Sequence, residues 1–362
     1  MKFIPSSNLE AGMVLAKNLY GSRSELLLAA GTELTESLIN KLILAGCEGV
    51  YIGDEDKPEY EIKGIISTRL KENTVNAVRS FFKGIERGDA IVTSYSFSTM
   101  SHLLDDIIDE ISTDKNAMIN MVDLKVFDDY TYYHCVSVAA LSIMVGVAAG
   151  MNRSGLYKLG MGALLHDLGK IFVPKEILNK EGPLSLEEYE QMKKHSQYGS
   201  EYLKKQNTLP LESIIAVLTH HERYDGTGYP LGLPHTKQTL EGKIIAICDN
   251  YDAMTSDRPY RKAFSPSEAM EHIMGNAGAM FDPKILEIFL KKIVLYPVGS
   301  IVRLSNGKRG MVIENYPYSF MRPKVRIISD NPNDREEIYD LYNDPSLLNV
   351  TILGIYKPND TM

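Results

Sequence analysis

The sequence predicts a multidomain chain: a large all-α domain flanked by a small N-terminal α/β or β domain and a small C-terminal β domain. Three observations predict it. From about residue 118 to 295 nearly everything reads as helix, broken by Gly/Pro loops near 180–184 and 225–235. Before residue 60, short β-like runs alternate with turns. After residue 296, VGSIVRLSNGKRGMVIENY and PKVRIISDN read as strands, with Asn306-Gly307 marking a hairpin turn. The expected parts are an N-terminal β/α module over 1–60, a helical linker region over 61–117, the large helical domain over 118–295 and the β domain over 296–362. A chain of 362 residues is comfortable for two or three domains.

Taken in order, MVLAKNLYG and LLLAAGTEL look like strands around a turn. TESLINKLILAG has helical period, with Thr35 as N-cap and Gly46 as C-terminal stop, and GVYIGD closes the module as a strand. The charged, proline-bearing DEDKPEYE suits a linker. Residues 65–115 are helical and amphipathic, as in STMSHLLDDIIDEIS. The longest uncharged run, Cys135 to Met151, is slightly short for a membrane span and rich in Ala, Gly and Ser, so a buried core helix is expected and no span.

Bulk chemistry narrows the class. A net charge of -8 and a pI near 5.6 argue against general binding of DNA or RNA, which wants a basic footprint. A small anionic ligand stays open, because a metal cluster supplies local positive charge. Three scattered cysteines, Cys47, Cys135 and Cys248, make no disulfide framework and fit a reducing cytoplasm. The N-terminus has no apolar core of signal-peptide length.

Of eight histidines, five stand in the helical region at motif-like places. They are His134 in YTYYHCVSVAAL, His166 in ALLHDLGKIFVP, His195 in MKKHSQYG, and the pair His220-His221 in HHERYDGTGYP. Asp167 follows His166, and Asp249 lies in IIAICDNYDAM. Each is approached by apolar helix. Burying His and Asp there is costly unless a charged species receives them, and a metal ion does so. Taken singly, a buried histidine is usually just hydrogen-bonded; taken together, these residues recur about one helix and a return apart, so a bundle can present them to one centre. Seven N/O ligands exceed what one ion takes in an open site and suit two, with a carboxylate spanning them. Imidazole plus carboxylate without thiolate points to iron, alternatively manganese, with zinc or nickel less favoured. Two adjacent ions suit in-line displacement at phosphorus.

HDLGK, GPLSLEEYEQMKKH, HHERYDGTGYP and DNYDAMTSDRPYR, in this order, resemble the HD-GYP family of the HD phosphohydrolase superfamily. The resemblance covers about residues 118 to 295 and implies a bacterial signalling enzyme, a phosphodiesterase that hydrolyses cyclic di-GMP to linear pGpG, GMP or both through a two-metal activated hydroxide. It implies that His134, His166, Asp167, His195, His220, His221 and Asp249 are metal ligands, with Asp167 bridging. By the same resemblance Lys170 approaches the scissile phosphate, Gly228, Tyr229 and Pro230 shape the pocket edge, and Arg258 and Arg261 lie near the dinucleotide. Glu222 and Asp225 are expected anchors of the GYP loop, and Gly226 and Gly228 are expected to supply unusual backbone conformations. Some members hold a third ion through a glutamate one turn before the first histidine. Tyr130 stands there, with Asp128 and Asp129 off register, so two ions are expected. The alternatives are a catalytically weak cyclic-dinucleotide receptor, an HD-superfamily phosphohydrolase on another nucleotide, and a di-iron oxygenase. The flanking domains are expected to regulate, to form a homodimer or to dock a signalling partner.

Overall fold

The computed structural model describes residues 2–6, 9–16, 19–20, 26–44, 47, 49–53, 65–113, 119–120, 130–180, 182–256, 264, 266–296, 298–316, 319–328 and 337–356. The chain divides into two compact units, one formed by 1–63 with 296–362 and the other by 64–295.

In the N-terminal segment β1 (Lys2–Pro5) pairs antiparallel with β4 (Gly49–Ile52), and β2 (Leu19–Tyr20) with β3 (Leu26–Leu28). The helix α1 (Glu36–Leu44) starts where expected, the Leu38 amide donating to Thr35 Oγ1 at 3.3 Å. Leu15, Leu34, Ile39, Leu42, Val50 and Ile52 form its core. The strands expected over MVLAKNLYG and LLLAAGTEL are shorter than their apolar runs; single bridges, Val14 to Glu33 and Leu15 to Ile52, replace long ladders. Gly46 and DEDKPEYE lie outside the described residues.

The 64–295 unit is helical. It comprises α2 (Thr68–Arg87), α3 (Ala90–Thr113), α4 (Tyr130–Ala148), α5 (Arg153–Leu165), α6 (Lys175–Leu178), α7 (Leu186–Lys193), α8 (His195–Gln206), α9 (Leu211–Thr219), α10 (Leu240–Thr255), α11 (Pro266–Gly275) and α12 (Pro283–Leu290). One short parallel pair, β5 (Ile119–Asn120) with β6 (Ile293–Val294), joins its two ends. Caps set several boundaries. Asn152 accepts from the Gly155 amide, Thr239 from Gly242, and Ser185 with Glu188 makes a reciprocal capping box. The helices α2 and α3 pack on each other and on α4, so residues read as linker helices belong to the same compact unit as the motifs. Of the α4 window Thr131–Ala148, apolar enough to cross a membrane, 78% is buried inside the protein, with Val136, Val138, Leu141, Ile143 and Val145 packed against neighbouring helices. The helix α4 lies on α5 and α10, α5 on α9, and α8 on a 3-10 turn at Leu168–Phe172. These four contacts carry the site.

The C-terminal segment is a five-stranded antiparallel sheet, order β10 (Ile338–Asp340), β9 (Ser319–Ile328), β8 (Arg309–Tyr316), β7 (Ile301–Leu304), β11 (Ile352–Ile355). The Asn306-Gly307 turn closes the β7–β8 hairpin as expected, with Gly307 at φ +81. Alternation along β7 buries Val302 and Leu304, which meet Val312 and Val325 in the sheet's core.

Candidate metal centre

Three helices stop at the same place. The helix α5 ends at Leu165, just before His166-Asp167; α7 ends at Lys193, just before His195; α9 ends at Thr219, just before His220-His221. The last carbonyls of a helix have no partner within it. Here the histidines supply one. His166 Nδ1 donates to Ala163 O at 2.7 Å, His195 Nδ1 to Met192 O at 2.8 Å and His220 Nδ1 to Val217 O at 2.8 Å. A proton on Nδ1 leaves Nε2 a bare lone pair, so each bond fixes tautomer and ring orientation together. The helix ends also carry partial negative charge, which favours a cation.

Those lone pairs converge. His195 Nε2 lies 3.3 Å from His220 Nε2, and His166 Nε2 lies 3.3 Å from His134 Nε2, which enters from the second turn of α4. At His195–His220, two unprotonated nitrogens facing each other at that distance repel unless a cation stands by to receive them. The carboxylates complete the arrangement. Asp167 turns Oδ2 towards His166 and His134, at 3.5 and 3.8 Å, and Oδ1 towards His195, at 3.7 Å. Asp249, from α10, sets Oδ1 3.1 Å from His134 Nε2 and Oδ2 4.0 Å from His221 Nδ1. The donors thus form two groups, His134–His166–Asp167 and His195–His220–His221, each with ligand atoms within 4.8 Å of one another. Both aspartates reach across both groups. This donor set, imidazoles and shared carboxylates, most of them at helix C-termini, fits a pair of divalent cations.

Electrostatics agree. Burial drives the His166, His195 and His220 imidazoles down and His221 to about 3, so all four are neutral donors at neutral pH. His134 behaves differently: burial opposes its charge, but hydrogen bonds to Asp249 and Asp252 overcome it and push it up to about 9. Burial also opposes ionisation of Asp167, yet Lys170 and the surrounding imidazoles hold its carboxyl well below the usual carboxylate range. Lys170 Nζ sits 2.6 Å from Asp167 Oδ2.

The HDLGK glycine explains how the groups come so close. A Cβ on Gly169 would lie 1.8 Å from His195 O and 2.6 Å from the Gly199 amide. Backbone therefore meets backbone where α8 crosses the 3-10 turn, and this contact brings His195 to Asp167. The GYP loop uses the same device. Gly226 has φ +82, as expected of a permissive glycine, but Gly228 does not have positive φ. Gly228 is required by space: its Cβ would lie 2.2 Å from the Arg223 amide and 2.5 Å from His221 O. The loop folds back on the histidine pair, the Tyr229 amide donating to His221 O at 3.1 Å, and the Tyr229 ring lies 4.7 Å from the His221 ring. Pro230 follows through a cis peptide bond.

Glu222 and Asp225 anchor this loop as expected. Glu222 accepts from the Leu231 and Leu233 amides at 2.7 and 2.8 Å, and Asp225 accepts from the Thr227 amide and hydroxyl. Glu222→Ala leaves two amides without an acceptor, a cost of about 1–3 kcal/mol for each one kept from water. We expect faster proteolytic nicking between residues 226 and 235 with metal content retained. Unchanged cleavage kinetics would show that the loop does not depend on this carboxylate.

Arg258 and Arg261 lie outside the described residues, as do Asp128 and Asp129. Two further residues take part without a motif of their own in the sequence. Asp252 accepts from His134 Nδ1 at 2.6 Å, and its only signal was the second aspartate of DNYDAM, one turn after Asp249. Lys193 sets Nζ 5.6 Å from the Tyr229 ring and 5.3 Å from the Tyr189 ring, a contact that no spacing announces.

Residues 107–285 match the family model described as HD domain, and residues 301–358 match the KOW domain associated with HD domain. A cyclic di-GMP phosphodiesterase of Pseudomonas aeruginosa is 38% identical over 69% of this chain and 59% of its own length. A cyclic di-GMP phosphodiesterase of Thermotoga maritima is 40% identical over 45% of each chain. The chain spans about half the length of these curated relatives. A solved structure described as a HDG"Y"P protein from Bdellovibrio bacteriovorus shares the fold, with a TM-score of 0.51 at 18% identity over 79% of this chain and 97% of that one. With the HD and HH pairs, the GYP loop and these likenesses, the chain belongs to the HD-GYP branch of the HD domain family.

Proposed function

We propose that this chain is a metal-dependent phosphodiesterase that hydrolyses cyclic di-GMP, to linear pGpG, to GMP or to both, in bacterial signalling. The observation that carries the reading is the pair of buried donor groups spanned by Asp167 and Asp249. The names of the relatives supply the substrate class.

His134, His166 and Asp249 would hold one divalent ion and His195, His220 and His221 the other, with Asp167 shared. Iron suits this thiolate-free set first, manganese second. Such ions supply Lewis acidity at phosphorus and a water acidic enough to attack at neutral pH. The chain's own groups do the rest. The Nδ1 bonds hold four imidazoles in one tautomer, so no ring must turn before it can donate. Lys170, already beside Asp167, stabilises charge growing on the phosphoryl oxygens, the effect that dominates phosphoryl transfer. Gly228, Tyr229 and Pro230 line the mouth beside His221. Arg258 and Arg261 offer forked contacts to phosphate or a guanine edge.

A receptor that binds the dinucleotide without cleaving it has no need of so many buried ligands. The proposal also takes residues 118–295 as the catalytic domain, 61–117 as its helical lead-in, and the modules over 1–60 and 296–362 as regulatory, homodimerising or partner-docking. It places the chain in the cytoplasm, as the free thiols Cys47, Cys135 and Cys248 suggest.

Chromatography of a cyclic di-GMP digest tests the reading. Protein purified anaerobically with iron, or reloaded with Mn2+, is expected to release pGpG or GMP. Chelation should abolish release, and returning the metal should restore it. Intact cyclic di-GMP after incubation with protein holding two ions would sink the phosphodiesterase reading, and an oxidised product would favour oxygenase chemistry.

A further inference from the structure

Asp252 treats His134 as no other imidazole in the cluster is treated. His166, His195 and His220 donate Nδ1–H to neutral backbone carbonyls. His134 donates to a carboxylate, at 2.6 Å. Asp252 is 1% exposed, and its second oxygen, Oδ1, makes no hydrogen bond among the described residues. His134 is its one ion-pair partner among them. It stands three residues after Asp249 on α10, so one helix face delivers both the carboxylate beside His134 Nε2 and the carboxylate behind Nδ1. A buried carboxylate that faces a single imidazole is costly, and positive charge on or beyond that ring offsets the cost.

The charge therefore falls unevenly over the two donor groups. Asp252 stands behind His134 at 2.6 Å, and Asp249 leans to the same side, 3.1 Å from His134 Nε2, while Asp167 is shared about equally between the two groups. The His195–His220–His221 group is built of neutral rings, shares Asp167 through Oδ1 at 3.7 Å, and meets Asp249 only at 4.0 Å, with no carboxylate of its own among the described residues.

We propose that Asp252 is a positioning residue that orients His134 and raises its donor strength, so that the His134–His166–Asp167–Asp249 half of the centre fills first and holds its cation more tightly than the His195–His220–His221 half. This rests on the two-ion reading above. Asp252 does two separable things: it accepts Nδ1–H, which aims Nε2 at the centre, and it places a full negative charge behind the ring. An asparagine in its place keeps an acceptor oxygen and loses the charge.

Titration of the metal-free full-length protein with Mn2+ alone, by calorimetry, tests this. The native protein is expected to bind two ions in two steps, the first at least about tenfold tighter. Asp252→Asn should weaken the tight step by about 10–100-fold, the scale of a lost partner behind a metal-bound histidine, and leave the weak step in place. Asp252→Ala should weaken that step further, because ring orientation goes too. His221→Ala should remove the weak step and spare the tight one, a result independent of whether the Asp252 variants fold. A general loss of structure would weaken both steps together, so the selectivity is the informative reading. Two equal steps in the native protein, equal weakening of both steps in Asp252→Asn, or loss of the tight step in His221→Ala each overturn the proposal. Binding of fewer than two ions by the native protein would instead remove the two-ion reading beneath it.

Discussion

Asp167→Ala is expected to abolish hydrolysis of cyclic di-GMP, by on the order of 10³-fold or more, and to strip much of the bound metal. Deleting a single preorganised charge-stabilising group at an active centre costs about 10²–10³-fold. Asp167 is more than one such group. Its two oxygens face opposite donor groups, and Lys170 is aligned against one of them. Losing it removes negative charge from both halves and frees the lysine. The fold should survive. Every Nδ1–H to carbonyl bond of the surrounding histidines is independent of Asp167, and the Lys170 side chain, 31% exposed, can turn to water. Metal quantitation beside a turnover assay and a circular dichroism spectrum separates these effects. A variant that keeps two ions per chain and hydrolyses at the native rate would end the role assigned to this residue.

The sequence made the donor cluster legible because its histidine pairs are announced locally. HD and HH stand where apolar helices stop, and a polar pair at a buried helix end has few uses other than receiving charge. Helix starts were legible for a similar reason: Thr35 makes a bond to an amide three residues on. Other features depend on contacts between distant residues. Nothing in HDLGK states that Gly169 touches Gly199 thirty residues later. Gly228 looked like a conformational glycine and is a spatial one, a distinction that φ alone draws. Asp252 has no motif of its own, and its role depends on which way the His134 ring faces. The two-residue strands β5 and β6 are too short for any period to reveal, and α2 and α3 read as a linker region because amphipathicity tells that a helix packs, not on what.

Gly169→Ala is the second large effect, and it acts without altering any donor side chain. The added methyl would lie 1.8 Å from His195 O, 2.7 Å from His195 C and 2.6 Å from the Gly199 amide, all of them backbone atoms. No rotamer change relieves such a clash. The 3-10 turn at Leu168–Phe172 and α8 must move apart, at a cost of about 1–3 kcal/mol or more for overpacking. The displaced element carries His195 at its first residue, and His195 Nε2 is only 3.7 Å from Asp167 Oδ1. A shift on the order of 1 Å is enough to lower turnover by about 10²-fold. Gly275→Ala is the matched control, since a Cβ there meets nothing within 4 Å and alanine is the better helix former. Denaturant unfolding is expected to show the loss for Gly169→Ala alone, together with weakened Mn2+ binding at the half that contains His195. If both alanine variants unfold and hydrolyse like the native chain, close backbone contact at Gly169 is not what sets the spacing of the two donor groups.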